Sequence, residues 1–427
     1  MSTTTPPESA TPALDGSFEG PVAIRGALLR VLLWLAPTYL SLFAIWGAVP
    51  GILLALQVEH LDPANKVANL ALVTTLGALF SMITQPIAGL ISDRTRSRFG
   101  RRAPWMVTGS VVGGILLIVL GFQNSLIGIA IGWVGVSIAY NFAQSSLAAI
   151  MPDRIPRLAR GSFSAISGLG TLAGLLGGQF FGAMMGGAIP SAYVILAALG
   201  VGMFSTFVLM NPDRSSVTIV RAPLSLRTFV GTFWVNPRQH PDFFWAFTGR
   251  FLLNLSYYLV AGGYLLYVLA DYIHLGTVEA TATVPLLALA SAPGAVLATT
   301  LSGPLSDRFR RRKIFIVASG LLFASAMVIP LVMPTTMGMI LTFALGGLGY
   351  GVFQSVDSVL MSEVLPSARS FGKDLGIVNM AITLPQSIAP AVAGAIVLAV
   401  GYVGLFPTAI VLCVLGAIAV LPITSVR

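Results

Sequence analysis

GLISDRTRSRFGRR at 89–102 is answered by GPLSDRFRRRK at 303–313. Each stretch follows a long apolar run and precedes another. Gly89 aligns with Gly303 and Asp93 with Asp307, at an offset of 214 residues. Downstream, QSSLAAIMPDRIP at 144–156 is answered by QSVDSVLMSEVLP at 354–366, at an offset of 210. The second basic loop is therefore four residues shorter, and the halves otherwise stay in register. The chain reads as a duplication.

Composition says what was duplicated. Of 427 residues, 56% are hydrophobic and 9% charged, with a mean hydropathy of +0.88. Water-soluble domains carry about 25% charged residues, and a bilayer crossing needs roughly 20 apolar ones. Twelve runs meet that length: 31–57, 67–91, 104–122, 126–150, 161–185, 190–210, 243–270, 280–304, 314–332, 337–361, 373–398 and 403–423. The expected fold is all-α and integral to a membrane, with 12 transmembrane helices in two pseudo-symmetric six-helix bundles, 31–210 and 243–427. Residues 1–30 read as a flexible cytoplasmic tail without a signal peptide's basic start and apolar core. Residues 211–242, with four prolines, read as a cytoplasmic linker.

The net charge of +9 is explained by orientation, without nucleic acid. With 12 spans, 23 of the 24 Lys and Arg fall on one side, and Lys66 alone on the other. By the positive-inside bias both termini face the cytoplasm, in a plasma or inner membrane. The lone Cys413 permits no disulfide within the chain, and three scattered His offer no metal-ligand spacing. The phosphate-cradling G-x-x-x-x-G-K-[ST] pattern is absent. No cofactor and no metal are expected.

The form G-x-x-S-D-R with a basic cluster, once per half between the second and third spans, resembles the cytoplasmic loop motif of the major facilitator superfamily. SDRTRSRFGRRAPW at 92–105 is most similar to sucrose-type and glycoside–pentoside–hexuronide cation symporters. FGKDLGIVNMAITLPQ at 371–386 resembles a bacterial group of uncertain substrate. The resemblance implies two bundles rocking about a central site, and no enzymatic activity.

Asp93 ends the second span. A carboxylate there can accept from free N–H groups where a facing helix begins. The expected partner is the start of the eleventh span, near Gly372, with Asp307 mirrored against the start of the fifth, near Gly161. Arg94, Arg101, Arg102 and Arg308 can add ionic links to Asp153, Glu363 and Asp374, or serve topology alone. Together these residues form the candidate cytoplasmic gate.

Asp357 falls inside the tenth span, where the first half has Leu147. An acid at membrane depth is a candidate for function. Three roles stay open: proton coupling, an ion pair with Arg250, or cation coordination. Amides and aromatics supply a candidate substrate pocket: Trp46, Asn141, Gln144, Asn254, Tyr257, Tyr258, Gln354, Asn379 and Gln386. Amides donate and accept together, and rings stack on C–H-rich surfaces, which suits a polyol such as a sugar. The same amides can instead join helices, at about 0.6 kcal/mol each. Gly170, Gly174, Gly178 and Gly182, four apart on one helix face, allow close packing between bundles or within one.

The reading is a secondary transporter with a proton as coupling ion and a sugar or glycoside as solute, monomeric in the lipid bilayer. The alternatives are proton-linked efflux of an apolar or amphipathic compound, and a membrane substrate sensor that does not turn over.

Overall fold

The computed structural model describes residues 24–213, 215–217, 238–309, 311–364 and 371–424. Most of the 1–30 tail and of the 211–242 linker thus lies outside the described residues. The long helices are α1 (Ala27–Leu61), α2 (Lys66–Arg94), α3 (Ala103–Gly121), α4 (Leu126–Arg154), α5 (Arg160–Met184) and α6 (Ile189–Met210). They continue with α7 (Pro241–Ala261, then Leu265–Tyr272), α8 (Thr277–Phe309), α9 (Arg312–Val332), α10 (Thr336–Glu363), α11 (Phe371–Val400) and α12 (Leu405–Ala419). Helices suit lipid because they satisfy their own backbone N–H and C=O groups.

Among the described residues, ten helices are long and apolar enough to cross a bilayer, and an eleventh is added if the two legs of α7 count as one span. The 25-residue α5 is long enough, but its glycines dilute its hydropathy. Outward faces carry Leu33, Ile131, Leu169 and Leu297, all exposed, a surface that lipid tolerates and water does not.

The duplication is written into the packing. Within the first half α1 packs on α5 and α6, α2 on α4, and α3 on α4 and α6. The second half repeats each pairing with six added to the helix number: α7 on α11 and α12, α8 on α10, and α9 on α10 and α12. The contacts between halves obey the same rule, α2 on α11 and α8 on α5. Local chemistry repeats too. Ser125 Oγ caps α4 by accepting from the N–H of Gly128 at 3.1 Å, and Thr335 Oγ1 caps α10 by accepting from that of Gly338 at 3.1 Å. Such caps satisfy N–H groups that a helix start leaves free. The motif glycines take equivalent seats: a Cβ on Gly89 would meet Ser145 Oγ, and one on Gly303 would meet Ser355 Oγ.

Three local departures from the expected runs have physical causes. The single run 243–270 is two legs bent by 51°, broken at Gly262 and Gly263; at Gly262 the backbone turns extended, and glycine's conformational freedom makes a helical turn costly there. In α1, the residues Val49–Leu53 form a π-turn around Pro50, whose nitrogen cannot donate. In α9 the regular helix ends at Ala326, and a short turn, Ile329–Val332, carries Pro330. By contrast Pro285, Pro293, Pro385 and Pro390 lie within continuous helices.

The glycine stripe of α5 faces α1 of its own half. A Cβ on Gly174 would approach Leu40 O to 2.6 Å, and one on Gly178 would approach Ala44 O to 2.2 Å. The stripe thus serves packing inside one half.

Candidate functional site

Arg250 and Asp357 form an ion pair at 2.8 Å between α7 and α10. Arg250 is 5% and Asp357 2% exposed. Desolvating two charges costs several kcal/mol per ion unless each finds its counter-charge, so each residue accounts for the other's burial. Arg250 Nη1 and Asp357 Oδ2 touch, yet they are misaligned for a hydrogen bond, and Arg250 Nε has no hydrogen-bond partner. The pair is therefore held by charge more than by directed bonds.

Polar and aromatic groups continue outward along the same two helices. Asn254, one turn after Arg250, is fully buried and donates from Nδ2 to the Arg250 carbonyl at 2.8 Å. Its Oδ1 accepts from the Tyr350 hydroxyl at 3.4 Å. Tyr350 stacks on Tyr257 with centroids 3.9 Å apart and planes within 13°, and Tyr258 meets Tyr257 edge-on. The spacing explains the alignment: Tyr350 and Asp357 are seven apart on α10, two turns along one face. Beyond the tyrosines, Val260, Phe323, Met327 and Phe343 line an apolar cleft reached by Tyr257 and Tyr350.

The first half holds a separate group. Trp46 Nε1 donates to Gln144 Oε1 at 3.1 Å and sets its ring edge-on to Trp133. Asn141 Nδ2 donates to Ser81 Oγ at 3.0 Å and to the Ser137 carbonyl at 2.7 Å, so this amide joins α4 to α2. The structure thus gathers Trp46 with Gln144, and Asn254 with Tyr257 and Tyr258, as two clusters on different halves. Gln354 is half-buried on α10 at the place equivalent to Gln144, and Gln386 is exposed on α11. The side chain of Asn379 lies outside the described residues.

At the end of α2, Arg102 is the hub of the basic loop. Its guanidinium, 5% exposed, pairs with Asp93, contacts Ser92 Oγ and reaches Asp153 Oδ2 at 2.8 Å. Arg101 holds the other Asp153 oxygen at 2.6 Å. Asp93 therefore pairs within its own half. The side chains around Gly372, and those of Glu363, Asp374 and Asp307, lie outside what the structure describes. Arg94 ends α2, and Arg308 is exposed near the end of α8. Gly100 has φ +88°, and a Cβ there would fall 2.5 Å from Asp213, so the loop requires glycine at that turn. The chain after α6 is fastened to this loop: Ser216 Oγ donates to the Thr95 carbonyl at 3.0 Å and accepts from the Ser97 N–H at 3.0 Å.

One residue of this group escaped sequence reasoning: Tyr350, whose signal is its place seven residues before Asp357. Arg250 is the expected ion-pair partner for Asp357, and the structure forms that pair.

The profile of the Major Facilitator Superfamily matches residues 31–302 and 294–426. The sucrose transport protein SUC4 of Arabidopsis thaliana is 27% identical over 155 residues, which is 30% of this chain and 30% of that protein. The chain spans well under two thirds of the length of the curated relatives it matches. Among solved structures, the nucleoside transporter NupG superposes with a TM-score of 0.71 at 14% identity, over 91% of this chain and 98% of the other. A D-xylose-proton symporter gives 0.69 at 14% identity, over 93% and 98%. These likenesses extend over the helices described above and share their architecture. The chain belongs to the Major Facilitator Superfamily, a class of multi-pass, non-enzymatic membrane transporters.

Proposed function

We propose that this transporter couples uptake of a sugar or glycoside to protons, with Asp357 as the coupling group. The observation that carries the reading is the Arg250–Asp357 pair: an acid 2% exposed at membrane depth, held by one misaligned cation. Such a carboxylate loses its charge only by taking a proton, and neutralising it removes the attraction that holds Arg250, which frees α7 to move against α10. The ladder of Asn254, Tyr257, Tyr258 and Tyr350 supplies donors, acceptors and ring faces for a polyol. Trp46 and Gln144 supply the same from the other half, with Asn141, Gln354, Asn379 and Gln386 completing the wall. Partial similarity to sucrose transport proteins supports the sugar.

In this reading the 12 helices are 12 spans in two six-helix bundles, 31–210 and 243–427, with both termini cytoplasmic in the plasma or inner membrane. Asp93, Arg94, Arg101, Arg102, Asp307 and Arg308 serve the inner gate, and the protein works as a monomer. The apolar cleft beside Tyr257 favours a second reading, efflux of an amphipathic compound.

The test is purified protein in liposomes, offered labelled mono- and disaccharides with and without an imposed pH gradient. Gradient-driven accumulation of a sugar is expected. With Asp357→Asn, accumulation is lost while sugar exchange persists. Undiminished proton-driven uptake by that variant removes Asp357 from coupling. No response to any sugar, together with proton-driven movement of an amphipathic dye, selects efflux.

A further inference from the structure

Lys66 opens α2 at the end away from the basic loop that follows it, and nothing in the function above uses it. It is also where the two halves meet. Lys66 Nζ lies 2.7 Å from Glu59 Oε1, at the end of α1, and 3.0 Å from Asp271, at the end of α7. The first acid belongs to its own half and the second to the other. Its ammonium also stands 4.7 Å from the centroid of the Tyr267 ring. Asp271 has a second partner on its own half: Tyr402 donates to its Oδ2 at 2.7 Å. Asp62 fastens the first turn of α2 beside this cluster, accepting from the Asn65 backbone N–H at 3.2 Å and from the Asn69 amide at 3.1 Å.

The bend of α7 brings its second leg across α1. Tyr267 donates to the Ala55 carbonyl at 2.7 Å, and Tyr264 to the Val67 carbonyl at 3.0 Å. Among the described residues the two halves are thus tied together at this end by the Lys66–Asp271 bridge, the Lys66–Tyr267 ring contact and two tyrosine hydroxyls.

We propose that Lys66 is the bolt of the outer gate, with Asp271 as the catch across the halves and with Glu59 and Tyr402 as the partners each half keeps when the gate opens. The chemistry of the four groups gives the reason. A lysine paired to Asp271 alone would leave two bare, half-buried charges on opening, and desolvated charges without partners are costly. Here Lys66 keeps Glu59 and Asp271 keeps Tyr402, so opening breaks one ionic contact and exposes no unpartnered charge. The bolt is thus firm enough to bias the closed state and weak enough to yield in each cycle. The orientation of this face rests on the topology proposed above.

Thr74, two turns inward of Lys66 and packed near Gly263, is a reporter position behind the gate. Thr74→Cys is labelled with a membrane-impermeant maleimide in intact cells and in inside-out vesicles; the native Cys413 is fully buried. The expected labelling from outside is slow with the native gate and about fivefold faster with Lys66→Gln or Asp271→Asn, the factor for loss of one partly solvated ion pair. Lys66→Arg restores slow labelling. Glu59→Gln changes the rate less than Asp271→Asn, because Glu59 lies on the same half as Lys66; a merely structural cluster would make the two equal. Equal effects, or no acceleration in either acid variant, overturn the bolt. Acceleration seen only in inside-out vesicles keeps the bolt and overturns the orientation. A folding readout, the melting temperature of each purified variant, separates gate opening from unfolding.

Discussion

At Asp357 the two halves differ in chemistry while sharing a position: Leu147 stands at its counterpart and is equally buried. Burial that suits leucine is hostile to a carboxylate, so Arg250 is the condition for having the acid there. Removing one partner of a buried pair costs about 3–5 kcal/mol because the other charge is stranded. Asp357→Asn is therefore expected to lower the melting temperature of the purified transporter, and Arg250→Gln alone to do the same. The double variant strands no charge and should recover most of that loss, yet it should still fail to accumulate solute against a pH gradient. Recovery of both melting temperature and accumulation would make the pair structural only. At the end of α2, Arg102 plays an analogous part for Asp93 and Asp153. Arg102→Ala is expected to slow transport more than Arg101→Ala, which leaves Asp153 one guanidinium; initial rates of uptake check the order.

Among the elements, α5 shows how a helix can be read correctly in spacing and remain undecided in use. Glycines four apart define a face, but any close neighbour could fill it, and only the packing shows that the neighbour is α1. Gly177, next in sequence to Gly178, has nothing within 4 Å of where its Cβ would be. Gly178→Ala is expected to destabilise the protein by about 1–3 kcal/mol, the usual cost of forcing extra volume into packed structure. Gly177→Ala is expected to leave stability unchanged or slightly raised, since alanine favours the helix. Thermal unfolding of the two variants side by side decides it; equal losses would mean the stripe is not the seam. The break in α7 was less legible. Gly262 and Gly263 lie inside a stretch that reads as one span; they permit the break, and Tyr264 and Tyr267 seat the second leg on α2 and α1.

For the whole molecule, the repeated loop motif was enough to foresee a paired architecture, because duplication leaves the same residues at the same helix ends and forces the same packing graph. The site was legible only in part. Polar residues at membrane depth mark candidates, but whether an amide faces a solute or ties two helices is decided by neighbours distant in sequence: Asn141 ties α4 to α2, whereas Asn254 joins the tyrosine ladder. What the halves do to each other was the least legible, since no local pattern announces that Ser387 Oγ of α11 donates to the Ala78 carbonyl of α2 at 3.2 Å. That contact lies on a surface that alternating access requires to part. A cysteine pair, Ala78→Cys with Ser387→Cys, joined by a short, reducible bifunctional thiol cross-linker or a mild oxidant, tests this. Joining it should abolish net transport in liposomes, with full return on reduction, while either single variant keeps transporting under the same reagent. Transport that continues with the bridge formed would mean that α2 and α11 stay together through the cycle, and that the outer half opens along the α5–α8 contact instead.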